Sequence, residues 1–221
     1  MKKLSIFTAI ALFVFLSTTF STSAQIVNGS FEEGPEPGSF LQAYTGTGIT
    51  GWTIDVENID YIGSYWQASN GNRSIDLNGY YAASKISQLV PTVPGITYQV
   101  SFDMSGNPDG SPAVKTMTVT ANDGYAQDYE YEVTAENSHD NMRWEATNYY
   151  FVATSTTTKL SFATTIPGAF GPALDNVSIT NITAKICHRN NSPGVKTLTV
   201  GVSAIPAHLA HGDTLGPCAA Q

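Results

Sequence analysis

The 221-residue sequence carries 10 Lys and Arg against 18 Asp and Glu, a formal charge of −8, with only 13% of residues charged. That balance provides no basic surface for nucleic acid or an anionic membrane, and it sets both partner classes aside. With 42% hydrophobic residues, 19 Gly and 11 Tyr, the length suits one domain with a real core, built from strands and turns rather than charged helices.

The chain begins with Lys2 and Lys3, continues through the apolar stretch Leu4 to Leu16, and closes on a polar run with Thr22 and Ala24 ahead of Gln25. These three regions predict a secretory signal peptide over residues 1–24, too short and wrongly flanked for a membrane anchor. No Cys follows the apolar run and no second long apolar stretch appears. The product is therefore expected to be secreted, extracellular or on the cell surface, not membrane-spanning, and monomeric.

Residues 25–184 read as short strands between turns. Ile96 to Met104 alternates apolar and polar, Lys115 to Ala121 does so through Met117 and Val119, and Leu160, Phe162, Val177 and Ile179 repeat the pattern. Period two puts one face on a core and the other in water. Pro94-Gly95 before the longest run and Gly106-Asn107-Pro108-Asp109-Gly110 after it are turn chemistry. The pattern predicts an all-β, antiparallel β-sandwich of the jelly-roll kind.

Residues 185–221 form a separate small module that holds both Cys and three of the four His. Lys196 to Val202 is expected to be a strand, and Ala204 to His211 a short helix capped by Ser203. In an exported chain the first reading of Cys187 and Cys218 is a disulfide, giving a disulfide-closed extension stabilised by roughly 3–4 kcal/mol. Two further readings stay open: a metal at His188, His208, His211 and Asp213 beside that disulfide, or zinc on both thiolates and two His.

Several stretches stand in a common order: Asn28-Gly29-Ser30-Phe31-Glu32, Gly51-Trp52, Asp60-Tyr61-Ile62, Ser74-Ile75-Asp76-Leu77-Asn78-Gly79, Ile86-Ser87-Gln88, Pro94-Gly95-Ile96-Thr97-Tyr98, Phe102-Asp103-Met104-Ser105-Gly106-Asn107-Pro108 and Leu174-Asp175-Asn176-Val177. Together they resemble the choice-of-anchor C family of secreted bacterial proteins, relatives of an uncharacterised plant cell-wall protein family on the galactose-binding-like jelly roll. The opening and closing pieces also resemble carbohydrate-binding modules of that fold. The resemblance implies a structural Ca²⁺ held by Glu32 and Asp175 with a carbonyl near Ser30, a donor set of the hard oxygens that calcium takes. The alternative is that both carboxylates cap backbone amides.

Trp52, Tyr61, Tyr65, Trp66, Tyr80 and Tyr81 crowd one span rich in Asn and Gly. Aromatic faces with Asn, Asp and Gln side chains suit pyranose rings. Trp52 and Tyr61 are expected in the core. Tyr65 and Trp66 are the candidate ligand platform, with Asp76 and Asn78 as polar contacts or turn formers. Tyr125, Tyr129, Tyr131 and Tyr149-Tyr150 read as sheet surface, and His139 as a loop residue.

No nucleophile elbow, His-Glu-x-x-His helix, phosphate loop or dinucleotide fingerprint occurs. Glu32, Glu57, Asp60, Asp76, Glu130, Glu132 and Glu145 could supply a hydrolytic pair, but strand spacing does not place two across a cleft. The sequence thus predicts a secreted, non-catalytic module binding polysaccharide or a cell-envelope glycan. Its alternatives are a structural or adhesive surface protein contacting other proteins and, third, a glycoside hydrolase or lyase.

Overall fold

Alternation of apolar and polar residues carries through to strands nearly everywhere it occurs. The computed structural model describes residues 24–80, 83–122, 124, 126–189 and 194–219. The expected leader, apart from Ala24, lies outside the described residues, as do Tyr81 and Tyr125. The first eleven strands in chain order are β1 Phe40–Tyr44, β2 Thr53–Val56, β3 Asn58–Ile62, β4 Ser74–Asp76, β5 Lys85–Pro91, β6 Thr97–Gly106, β7 Val114–Ala121, β8 Ala126–Glu132, β9 Glu145–Val152, β10 Thr157–Ala163 and β11 Pro172–Asn181.

They form two antiparallel sheets, one six-stranded in the order β1-β3-β4-β11-β6-β9 and one five-stranded in the order β2-β5-β10-β7-β8. The sheets close on one core, an antiparallel β-sandwich of jelly-roll type. Ile59, Tyr61, Ile75, Val100 and Phe102 face inward from the larger sheet, and Ile86, Met117, Val119, Leu160 and Phe162 from the smaller. Phe102 and Phe162 meet edge to face at 5.4 Å, an arrangement their ring quadrupoles favour. Trp52 and Tyr61 lie in this core as expected.

The second tyrosine cluster departs from expectation. Tyr131 and Tyr149 are core residues and Tyr129 packs edge to face on Phe102; of the described members only Tyr150 is exposed. Tyrosine fits either side of a sheet, and alternation alone does not say which side is inside. Lys115 also occupies an inward position of β7, fully buried. Its ammonium donates to the Gly110 and Phe170 carbonyls at 2.8 and 2.7 Å, which meets the requirement that a buried charge be hydrogen-bonded.

The tail builds a third sheet from β12 Thr183–Arg189, β13 Val195–Gly201 and β14 Thr214–Leu215, in the order β13-β12-β14. A 3₁₀ turn, Val202–Ala204, leads into α1, Ile205–Ala210, the one α-helix among the described residues. Ser203 does not cap it; Ala204 stands at the N-cap and Pro206 opens the first turn, where its missing N–H costs nothing. Cys187 and Cys218 are bonded across a sequence separation of 31. No helix among the described residues is long and apolar enough to cross a membrane.

Candidate functional site

The outer face of the six-stranded sheet is only partly open to water. The loop after β3 folds back over it and brings Trp66 against Ile62, Met142 and Ala173 in a second, smaller apolar cluster. The Trp66 indole N–H donates to Ser74 Oγ at 2.9 Å, and the residue is 4% exposed. Trp66, expected as an exposed ligand platform, is instead mainly a packing residue that still lines the edge of the groove described below. Tyr65, its neighbour, stays half-buried at the rim. Its hydroxyl donates to Asp109 Oδ2 at 2.7 Å, and its ring sits 4.5 Å from the His139 ring and 5.3 Å from that of Phe40. Hydrogen bonding to Asp109 pushes the Tyr65 phenol up to about 12.

Between these elements lies a groove of about 160 Å³, whose lining includes Phe40, Gln42, Asp60, Tyr65, Tyr80 and Phe170. Phe40 is 44% and Tyr80 58% exposed. Phe40, Gln42 and Asp60 point outward because their neighbours Leu41, Ala43, Ile59 and Tyr61 point into the core. Asp60 is the unusual member: its Oδ1 is buried and has no hydrogen-bond partner among the described residues. Burial pushes its carboxyl up to about 6. A buried acceptor left unmatched is costly, and the half-buried Asp60 that carries it lines the same groove as the aromatic rings. A larger polar cleft lies alongside, but its charges pair internally, Arg73 with Glu36 at 2.9 Å.

Asp76 and Asn78 stand one layer below the groove and are 0% exposed. Asp76 accepts from the Asn78 N–H at 2.9 Å, the Gly171 N–H at 3.1 Å and the Asn107 amide at 2.8 Å. Asn78 donates to the carbonyls of Ile166 and Gly168. Neither can touch a ligand arriving from solvent, so the expected polar contacts are instead a knot that ties three loops together. Burial pushes Asp76 up to about 8, against the pull of those amides and of Lys115. The close approach requires glycine at 171, where a Cβ would come 2.2 Å from Asn78 Oδ1 and 2.5 Å from Asp76 Oδ1.

Glu32 and Asp175 converge on the loop between β3 and β4. Glu32 Oε1 accepts from the N–H groups of Asn72 and Arg73, each at 2.8 Å. Asp175 Oδ2 accepts from those of Ser69 and Asn70 at 2.8 Å, and Oδ1 from that of Asn176. The opening segment does run beside the closing strand, since Val177 N–H donates to the Gly29 carbonyl at 2.8 Å; Ser30 lies in that turn. Glu32 Oε1 and both Asp175 carboxylate oxygens thus lie on amide hydrogens, the arrangement of the alternative reading in which both carboxylates cap backbone amides. Burial pushes Asp175 up to about 7 despite those amides.

In the tail, the Nδ1 atoms of His188 and His208 both lie 2.8 Å from Asp213 Oδ2. The His188 hydrogen bond, followed by that of the Arg189 N–H, holds the Asp213 carboxyl well below the usual carboxylate range. His211 stays exposed at the end of α1, outside this cluster.

Residues 24–180 match the profile of the family described as "Protein of unknown function (DUF642)". The chain belongs to that family. A curated relative of this DUF642 chain is halomucin of Haloquadratum walsbyi (strain DSM 16790 / HBSQ001), 31% identical over 204 residues. That alignment spans 85% of the DUF642 chain but 2% of halomucin. Among solved structures, the DUF642 chain is similar to TmCBM61 in complex with β-1,4-galactotriose, at 17% identity and a TM-score of 0.45, covering 70% of this chain and 95% of that one. It is likewise similar to the CBM22-1 xylan-binding domain of Paenibacillus barcinonensis Xyn10C, at 20% identity and a TM-score of 0.45, covering 73% and 96%.

Of the residues lining this groove, the sequence singles out Tyr65 as a candidate contact but not Phe40, Gln42 or Phe170, and Asp60 only among spare carboxylates. Phe40-Leu41-Gln42-Ala43-Tyr44 does alternate, and its outward aromatic–Gln–aromatic face was a readable signal. Phe170 carried none, because it reaches the groove from a loop far along the chain.

Proposed function

We propose that this DUF642 chain is a secreted, non-catalytic module, of the choice-of-anchor C kind, that binds carbohydrate in the groove between β1, β3 and the loops carrying Tyr65, Tyr80 and Phe170. The observation that carries the reading is the half-buried Asp60 carboxyl in a groove lined by the exposed rings of Phe40, Tyr80 and Phe170. Aromatic faces stack on the C–H faces of a pyranose, and a carboxylate takes hydrogen bonds from sugar hydroxyls, the charged form more strongly than the neutral one. The volume, about 160 Å³, is below the roughly 300–1,000 Å³ of pockets that enclose drug-sized ligands. It suits one ring or a chain end of a polysaccharide or cell-envelope glycan. Hydrolysis is disfavoured: Asp60 stands opposite Asp76 across β3 and β4, but Asp76 is sealed, and a glycosidase needs both carboxyls at the substrate.

A glycan array on the chain from residue 25 onward, with Asp60→Asn and Phe40→Ala beside it, tests this. Selective binding that both substitutions weaken by about tenfold or more, with melting unchanged, is the expected result. Binding to no glycan, or binding indifferent to both substitutions, would overturn the reading in favour of a surface protein that contacts other proteins. Release of reducing ends that Asp60→Asn abolishes would overturn its non-catalytic part.

A further inference from the structure

The C-terminal sheet assembles a cluster that plays no part in the groove. β12 and β14 pair with Cys187 opposite Thr214, which sets His188 and Asp213 side by side. α1 ends at Ala210, Gly212 turns the chain at a φ of 87°, and the Asp213 N–H donates back to the His208 carbonyl at 3.2 Å. The turn thereby brings the His208 ring over the same carboxylate. The Arg189 N–H holds Oδ1 at 2.8 Å, fixing the carboxylate's rotation so that Oδ2 faces both imidazoles. The two rings stand at 88° with centroids 5.8 Å apart, and one ligand atom from each of the three residues lies within 4.8 Å of the others.

We propose that His188 Nδ1, His208 Nδ1 and Asp213 Oδ2 form a binding site for a divalent first-row transition-metal ion of the zinc type. Two imidazoles and one carboxylate suit such an ion, whereas calcium and magnesium prefer all-oxygen sets. Both nitrogens already stand at hydrogen-bond distance from Oδ2. Small side-chain adjustments would set all three atoms at about 2.0–2.2 Å from a central ion. Each neutral imidazole then turns its Nδ1 lone pair to the metal and carries its proton on Nε2. The side chains of His188 and His208 are 27% and 25% exposed while that of Asp213 is 0% exposed. The ion would thus keep an open position on its solvent side, and the Arg189 N–H supplies the outer hydrogen bond that orients the carboxylate ligand. Cys187 and Cys218 are tied to each other, so no thiolate enters the set. The ion would fasten the end of α1 to β12, a second staple beside the disulfide.

The test uses the oxidised chain from residue 25 onward, stripped with chelator and titrated calorimetrically with Zn²⁺ alone, then with Ca²⁺ alone. The expected result is one Zn²⁺ per chain and no Ca²⁺, with affinity at least about tenfold weaker in His208→Ala and Asp213→Ala and unchanged in His211→Ala. Should those variants fail to fold the tail, the unsubstituted protein still decides: ring ¹⁵N spectra should show two histidines shifting at Nδ1 as Zn²⁺ is added. No stoichiometric binding, equal loss in His211→Ala, shifts at Nε2, or binding only after disulfide reduction would each overturn the proposal.

Discussion

The sandwich and the tail hold themselves together by different means. The sandwich buries a continuous core from Phe31 to Ile179, and its buried polar residues, Asp76, Asn78, Asp175 and Lys115, are tied largely to backbone groups. Among its described residues the tail offers only Ile186 and Cys187 as buried apolar ones. In their place it has a disulfide, three short strands and two histidines sharing one carboxylate. A module of this size cannot remove enough apolar surface from water to offset chain entropy, so cross-links take over the task.

The largest test of that contrast is Phe162→Ala, which should cost the sandwich about 3–5 kcal/mol in denaturant unfolding; a loss under about 1 kcal/mol would mean the core is not its main support. Reducing Cys187–Cys218 should come next, loosening β12 and β13 by roughly 3–4 kcal/mol in hydrogen exchange while β6 and β10 keep their protection. Loss of protection in all four strands together would make the two regions one cooperative unit.

Acidity should sharpen the difference further. Burial holds Asp60, Asp175 and Asp76 at about 6, 7 and 8, all above the unfolded value near 3.9. Between those limits the folded sandwich binds protons that the unfolded chain has released. Its stability should therefore rise as pH falls from about 8 to about 4, and fall as pH rises through the same window. The check is the denaturant midpoint of a sandwich probe such as Trp52. Sugar binding should run the opposite way, tightening as pH climbs through about 6 and Asp60 ionises, and Asp60→Asn should flatten that profile. The smallest effect is expected from chelators: because Glu32 and Asp175 serve amides, melting of the sandwich should not move, and a Ca²⁺-dependent midpoint would return those carboxylates to a cation.

Much of the fold was legible. Ile96 to Met104 announced β6, Lys115 to Ala121 announced β7, and the export that the leader predicts made the pairing of the two cysteines the simplest reading. The candidate site was legible only in part. Tyr65 was found from local crowding, but Trp66, next to it and equally aromatic, belongs to a core supplied by Met142 and Ala173. Asp76 and Asn78 looked like turn residues or sugar contacts because the segment shows neither Gly171 nor Asn107, which complete their knot.

By itself the sequence determined the strands, the turns between them and the composition of the tail, since these follow from side-chain period and from the local backbone preferences of Gly, Pro and Asn. Only the tertiary structure decided that Trp66 is covered while Phe40 is not, that Asp60 keeps a partnerless oxygen, and that His188 and His208 meet on Asp213. Alternation with period two says which residues share a face of a sheet. What lies over that face is set by loops distant in sequence, whose closure depends on contacts that no local pattern records.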